Sequence, residues 1–289
     1  MFHNLNNIVE NNITDTELDY FCAIIGSNPS QGARSPVLWN KVFKAEKKQI
    51  KMLPFDVKPE NLEMLFYCLQ DHPKCLGGAI AVPYKEKIFT LIKDQLPKEV
   101  KSIGAINCFF RKDNSFKGNF TGTNTDGEAA LDPVIQILNT QEKKSIALIG
   151  MGGAGKAVLA FLKKKFGEKH KIYAFNRSMK NNGEVLKIRD FETSISDFDM
   201  IINATSAGSS IALDSTPFKL DYLQSAKPNC VVYDIIYDPS KTRLLDQASE
   251  RSLTIINGLR MNLIQAVLAY KYTSRTSLSV EKIFKIMNR

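Results

Sequence analysis

Short apolar runs alternate with longer amphipathic or polar stretches along most of the chain. Residues 20–26 (YFCAIIG), 49–57 (QIKMLPFDV) and 75–82 (CLGGAIAV) are runs of strand length that stop at glycine, proline or charge, so each predicts a buried strand. Helices are expected between them, from about Pro36 and from about Lys58. A further pair, 102–111 and 115–122, is divided by Lys112, Asp113 and Asn114 and predicts a hairpin, which closes a first sheet near Gly122. A linking helix follows from Asp132-Pro133 to the apolar run at Ser145. Beyond it the runs 171–175, 199–205, 230–236 and 252–257 are spaced by helical or loop segments, as the parallel strands of a second sheet are. After Gly258 comes a helical segment in which Met261, Gln265, Leu268 and Tyr272 share one face. The pattern predicts an α/β protein with two domains.

The run from Ser145 ends in glycines and then turns helical. Gly150, Gly152 and Gly155 fill the G-x-G-x-x-G positions, with Gly153 and Ala154 between them. A bare backbone there permits the tight turn, the approach of a pyrophosphate, and close packing of helix on strand. The following helix aims its free N–H groups at phosphate. At the end of the next strand, where an adenosine ribose lies in such sites, the chain reads Asn176, Arg177, Ser178, with Lys180 nearby and no acid. A guanidinium and hydroxyls suit a 2′-phosphate better than a free 2′-hydroxyl, so the expected cofactor is NADP.

Composition changes the picture only by exclusion. At 289 residues the chain exceeds the usual size of a single core. Its net charge of +9 comes from scattered lysines without interleaved aromatic residues, so no nucleic-acid partner is expected. The five cysteines form no C-x-x-C pair, and the three histidines lack metal-ligand spacing, so no metal is expected and the thiols fit a reducing compartment. No apolar run approaches the roughly 18–20 residues that span a bilayer, and a cytoplasmic location with no membrane partner is expected. A monomer and a homodimer stay equally open.

Oxidising an alcohol with a nicotinamide requires a group to take the hydroxyl proton as hydride leaves. Lys85 follows Val82-Pro83-Tyr84 at the end of an apolar run, Asn107 lies in a strand-like run, and Asp126 lies in a turn-rich segment, Gly122 to Gly127. Read singly, each is an ordinary surface, strand-edge or turn residue.

Together they resemble the shikimate dehydrogenase family, from about Tyr20 to the end of the chain. GSNPSQGARSPVLWN (26–40) is similar to its substrate loop, AVPYKE (81–86) to its lysine motif, GAIN (104–107) to its asparagine motif and TGTNTDG (121–127) to its aspartate motif. GMGGAGKA (150–157) and NRS (176–178) resemble its NADP loop and clamp. NATSAG (203–208), YDIIYDPSKTRLL (233–245) and GLRMNLIQA (258–266) resemble its later segments. The resemblance implies a discontinuous substrate-binding domain of residues 1–127 and 258–289, a Rossmann NADP-binding domain of residues 128–257, and a cleft between them. It implies hydride transfer between NADP and C3 of shikimate, with Lys85 and Asp126 handling the proton. Ser35 and Tyr237 would bind the substrate carboxylate, Asn107 and Gln265 its ring hydroxyls. The cofactor would meet Gly150, Gly152, Gly153, Ala154, Gly155, Asn176, Arg177, Ser178, Thr205 and Gly258.

The chain departs from the family pattern on the substrate side. Gly32 and Ala33 stand where the family has histidine and serine, and Ala79 and Ala81 stand where it has asparagine and threonine. Each lost hydrogen bond to a charged group costs about 1.5–3 kcal/mol, so weaker shikimate binding is expected. Arg34 offers a replacement if it turns inward. Two alternatives stay open at this point: a related enzyme for quinate or another hydroxy compound, and a non-catalytic metabolite-binding regulator.

Overall fold

The computed structural model describes residues 3–14, 17–112, 118–177 and 185–289. The chain divides into two compact units, residues 1–125 with 263–289, and residues 126–262. The divisions fall a few residues from the boundaries expected at 127/128 and 257/258.

The first unit carries strands β1 (Tyr20–Gly26), β2 (Ile50–Asp56), β3 (Cys75–Ile80), β4 (Cys108–Arg111) and β5 (Phe120–Thr123), in the order β2-β1-β3-β4-β5. The first three are parallel, because helices Arg34–Ala45 and Leu62–Asp71 return the chain between them. The last two form the antiparallel hairpin, whose connecting residues 113–117 lie outside the described residues. Alternation along β1 divides the core. Phe21 and Ile25 join Phe55, Phe66, Phe109 and Phe120 on one face, whereas Cys22 and Ile24 join Trp39, Val42 and Tyr270 on the other.

Three features were not legible in advance. Leu5, Ile8, Val9 and Ile13 of the N-terminal segment, which reads as polar, are buried in the first of these clusters. Arg111 is also buried, and its guanidinium donates to the carbonyls of Gln70 (2.6 Å), His72 (3.0 Å), Cys75 (3.1 Å) and Gly118 (2.6 Å). It thereby caps the C-terminus of helix Leu62–Asp71, where a cation suits the helix dipole. Helix Leu259–Thr273 buries Leu263, Ala266, Val267 and Tyr270 in the second of these clusters, and Met261 is buried as well. The first four stand at i, i+3, i+4 and i+7, an apolar stripe that the sequence reading left unmarked, and Tyr272 is exposed.

Among the described residues the second unit holds six parallel strands: β6 (Ser145–Ile149), β7 (Lys171–Asn176), β8 (Val185–Lys187), β9 (Met200–Asn203), β10 (Val231–Asp234) and β11 (Thr254–Ile256). Their order, β8-β7-β6-β9-β10-β11, is the 3-2-1-4-5-6 order of a Rossmann fold. Chain direction reverses across the sheet between β6 and β9, so ligands belong outside the carboxyl ends of those strands. Asp126, expected in a turn, is the first residue of the short helix Asp126–Leu131. Among the described residues, no helix is long and apolar enough to cross a membrane.

Within the first unit, Glu46 ties the C-terminal helices to helix Arg34–Ala45. Its carboxylate accepts from the Tyr270 hydroxyl (2.6 Å), the Thr276 hydroxyl (2.6 Å) and Lys48 Nζ (3.0 Å). Partial burial raises its pKa, but these donors outweigh it and hold the carboxyl below the ordinary glutamate value. A depressed folded-state pKa gives stability that is present above the unfolded value and is lost as pH falls through the folded value. Glu46→Gln is therefore expected to lower the melting temperature at pH 7. The gap from the natural chain should close as pH falls below about 4, near and under the ordinary glutamate pKa. A gap independent of pH would contradict the role given to its charge.

Candidate active site

In the first unit the chain leaves β1 at Gly26, makes a single 3-10 turn over Pro29–Gln31, and passes Gly32 at a φ of 114°. That left-handed backbone favours glycine over any side chain. Ala33 is then the N-cap of helix Arg34–Ala45 and offers no side-chain cap, and Ser35 is buried in the helix's first turn. Ala79 is buried in the apolar cluster of Leu38, Leu263 and Ala266, and Ala33 and Ala81 pack against the same cluster. The three alanine departures thus converge on one apolar surface.

Lys85 is the first residue of helix Lys85–Ile92, and its carbonyl accepts from Ile106 N–H at 3.1 Å. That bond sets the lysine turn beside Asn107. Asn107 is 2% exposed and pairs with Thr125 in both directions. Its Nδ2 donates to Thr125 Oγ1 at 2.9 Å, and its Oδ1 accepts from Thr125 N–H at 2.9 Å. Thr125 Oγ1 also donates to the Gln265 carbonyl (3.1 Å), and Asn107 Nδ2 reaches Gln265 Oε1 at 3.4 Å. Asn107 and Gln265, 158 residues apart, are therefore neighbours joined through Thr125. Sequence reasoning did not single out Thr125, although it lies inside the aspartate motif. Asp126 follows it, buried, as the first residue of the second unit.

In the second unit the glycines have distinct tasks. Gly150 has a φ of 99° and donates to the Phe175 carbonyl at 2.8 Å. A Cβ on Gly155 would lie 1.9 Å from the Gly150 carbonyl oxygen, so this glycine lets the helix approach the strand end. A Cβ on Gly152 would meet nothing within 4 Å. Gly152 caps helix Gly153–Phe166, whose first turn holds no acid, and Ala154 there is half-exposed. Open space before uncapped N–H groups is what a pyrophosphate needs.

A second set of polar residues was missed by the sequence reading. At the ends of β9 and β10, Asn203 Nδ2 donates to Asp234 Oδ1 at 3.1 Å, and Thr242 Oγ1 donates to Asp234 Oδ2 at 2.7 Å. Asn203 Oδ1 in turn accepts from the N–H (3.0 Å) and hydroxyl (2.7 Å) of Thr205. Full burial raises the Asp234 pKa against these bonds. Thr205 is thereby fixed beside Gly150, where an added Cβ would lie 2.6 Å from its methyl group. Gly258 is buried, and a Cβ there would lie 1.9 Å from the Ile235 carbonyl, so this position is a close backbone crossing. Tyr237 is half-buried beyond β10. At the end of β7, Asn176 is half-buried and Arg177 exposed, whereas Ser178 and Lys180 lie outside the described residues.

Residues 24–109 match the model of the shikimate dehydrogenase substrate binding domain. A protein from Prochlorococcus marinus, named shikimate dehydrogenase (NADP(+)), is 31% identical over 93% of this chain and 95% of its own length. The chain belongs to the shikimate dehydrogenase family. A relative of the same name from Methanocaldococcus jannaschii is 30% identical over 88% of this chain and 91% of its own. Among solved structures, shikimate dehydrogenase from Aquifex aeolicus is 27% identical with a TM-score of 0.78, covering 96% of this chain and all of that one. A shikimate dehydrogenase in complex with NADP+ is 26% identical with a TM-score of 0.73, covering 93% of this chain and 94% of that one.

The family's glycine loop makes a contrast between two neighbouring positions testable. Gly155→Ala is expected to cost about 1–3 kcal/mol, because the methyl group meets backbone that must shift. Gly152→Ala should stay within about 0.5 kcal/mol of the natural chain, since its space is open. Urea unfolding of both variants checks this, and equal losses would contradict the division of tasks.

Proposed function

We propose that the chain is an NADP-dependent shikimate dehydrogenase that interconverts shikimate and 3-dehydroshikimate at C3. The observation that carries this reading is the likeness, over nearly the full chain, to relatives named shikimate dehydrogenase (NADP(+)). It favours shikimate over another hydroxy compound and favours an enzyme over a regulator. The open cradle at Gly152 supports it, as does the guanidinium of Arg177 where an acid would favour NAD.

In this reading Gly150 to Gly155, with Thr205 and Gly258, would hold the cofactor's pyrophosphate and nicotinamide ends. Asn176, Arg177 and Ser178 would hold its 2′-phosphate. When bound, NADP supplies the hydride acceptor or, reduced, the donor. In the reducing direction the Lys85 ammonium gives a proton to the oxygen at C3 as that oxygen becomes an alkoxide, and in the oxidising direction Lys85 takes the proton back. Asp126 orients the hydroxyl. Asn107 and Gln265 bind ring hydroxyls; their mutual alignment through Thr125 supports that assignment. Ser35 and Tyr237 bind the carboxylate.

Steady-state NADPH formation with shikimate and NADP+ tests the reading. The natural chain should turn over shikimate, and Lys85→Ala should lower kcat by about 10²–10⁴-fold with NADP+ affinity unchanged. Quinate or another alcohol turned over faster than shikimate would contradict it. The converging alanines yield a further expectation. Ala33→Ser with Ala81→Thr should lower the KM for shikimate by about tenfold, the worth of roughly one hydrogen bond to a charged group, and should leave the KM for NADP+ unchanged. An unchanged KM for shikimate would show that the carboxylate contact is supplied elsewhere.

A further inference from the structure

The C-terminal end of β2 holds two separate segments of the first unit. Asp56 is 5% exposed, and its carboxylate accepts from Ser30 N–H at 2.8 Å and from the Ser30 hydroxyl. Ser30 lies in the 3-10 turn of the loop that runs through Gly32 to Ser35. The next residue of the strand end, Val57, donates its N–H to the Gly26 carbonyl at 3.0 Å, where that loop begins. The Val57 carbonyl accepts from the Tyr84 hydroxyl at 2.6 Å. Tyr84 is fully buried and immediately precedes Lys85. One dipeptide thus carries the turn leading to Ser35 on its carboxylate and the residue before Lys85 on its carbonyl.

The dipeptide is itself anchored from the N-terminal segment. Asp56 N–H donates to Asn11 Oδ1 at 2.8 Å, the Asp56 carbonyl accepts from Glu10 N–H at 2.8 Å, and Asn11 Nδ2 donates to the Pro54 carbonyl at 2.9 Å. A carboxylate with both oxygens engaged by one residue, on a strand end that cannot shift, holds that residue in a single place.

We propose that Asp56 is a positioning residue for the substrate loop. It fixes the Ser30 turn relative to Tyr84 and Lys85, and so sets how well the Ser35 hydroxyl meets the substrate's carboxylate. The inference rests on the role given to Ser35 above. A misplacement of the loop by about 1 Å weakens every contact it makes while leaving the proton-handling residues in place.

Asp56→Ala, Asp56→Asn and Ser30→Ala in the full chain test it by two measurements. The first is amide hydrogen exchange, which needs no substrate. Exchange should quicken across residues 28–35 and stay unchanged in helix Gly153–Phe166, and unchanged exchange in the loop would overturn the proposal. The second is kinetics. Asp56→Ala should raise the KM for shikimate about tenfold, with kcat and the KM for NADP+ within about twofold. Asp56→Asn, which keeps an acceptor for the Ser30 N–H, should fall between. Equal losses in kcat and both KM values would mark a merely structural role and overturn it. Ser30→Ala, which leaves the strand untouched, decides the matter if Asp56→Ala fails to fold. A natural chain with no shikimate turnover would count against the proposed function, while the exchange measurement would still decide whether Asp56 fixes the loop.

Discussion

Where strands end, the backbone N–H groups of the adjoining turns have no ladder partners, and every such group that stays buried must find another. Both units meet this requirement with buried polar side chains on the strand ends themselves. Asp56 ends β2 and holds Ser30, Asn107 precedes β4 and holds Thr125, and Asn203 and Asp234 end β9 and β10 and hold Thr205, Ile236 and Thr242. Within each unit the candidate functional residues hang on these strand-end side chains. Each converts a strand terminus, which the sheet fixes, into a fixed loop, and the loops carry Ser35, the aspartate motif and the cofactor-side turn.

The same residues explain why the strand ends are buried yet polar. A buried carboxylate such as Asp234 is costly unless donors surround it, and here the side chains of Asn203 and Thr242 and the N–H of Ile236 supply them. Removing one partner leaves the others unsatisfied, so such clusters rigidify the ends of strands rather than adding much net stability. Rigidity is what a hydride transfer needs, because the reacting carbon and the proton donor must hold their geometry together.

How much of this was legible depended on whether the chemistry was local. β1 runs over the residues its apolar stretch marks, and the glycine loop declares itself because three glycines at fixed spacing follow an apolar run. β8 was not legible, since three residues at a sheet edge carry no periodicity. The helix at Asp126 was hidden by turn-forming neighbours, and the buried N-terminal segment by its asparagines. Asp56 acts through Ser30, 26 residues away, Arg111 through the Gln70 carbonyl, 41 away, and Thr125 through Asn107 and the Gln265 carbonyl, 18 and 140 away, and no local pattern records such contacts. The alanines at 33, 79 and 81 could be read as departures from the family, but that they meet on one apolar cluster is a property of the folded chain.

Isotopic labelling follows the proposed hydride transfer from C3 of shikimate to NADP+ atom by atom. With shikimate carrying deuterium at C3, proton NMR of the NADPH formed should show deuterium at C4 of the nicotinamide, and turnover should slow relative to unlabelled shikimate if transfer limits the rate. NADPH formed without the label, or no NADPH from shikimate at all, would contradict it.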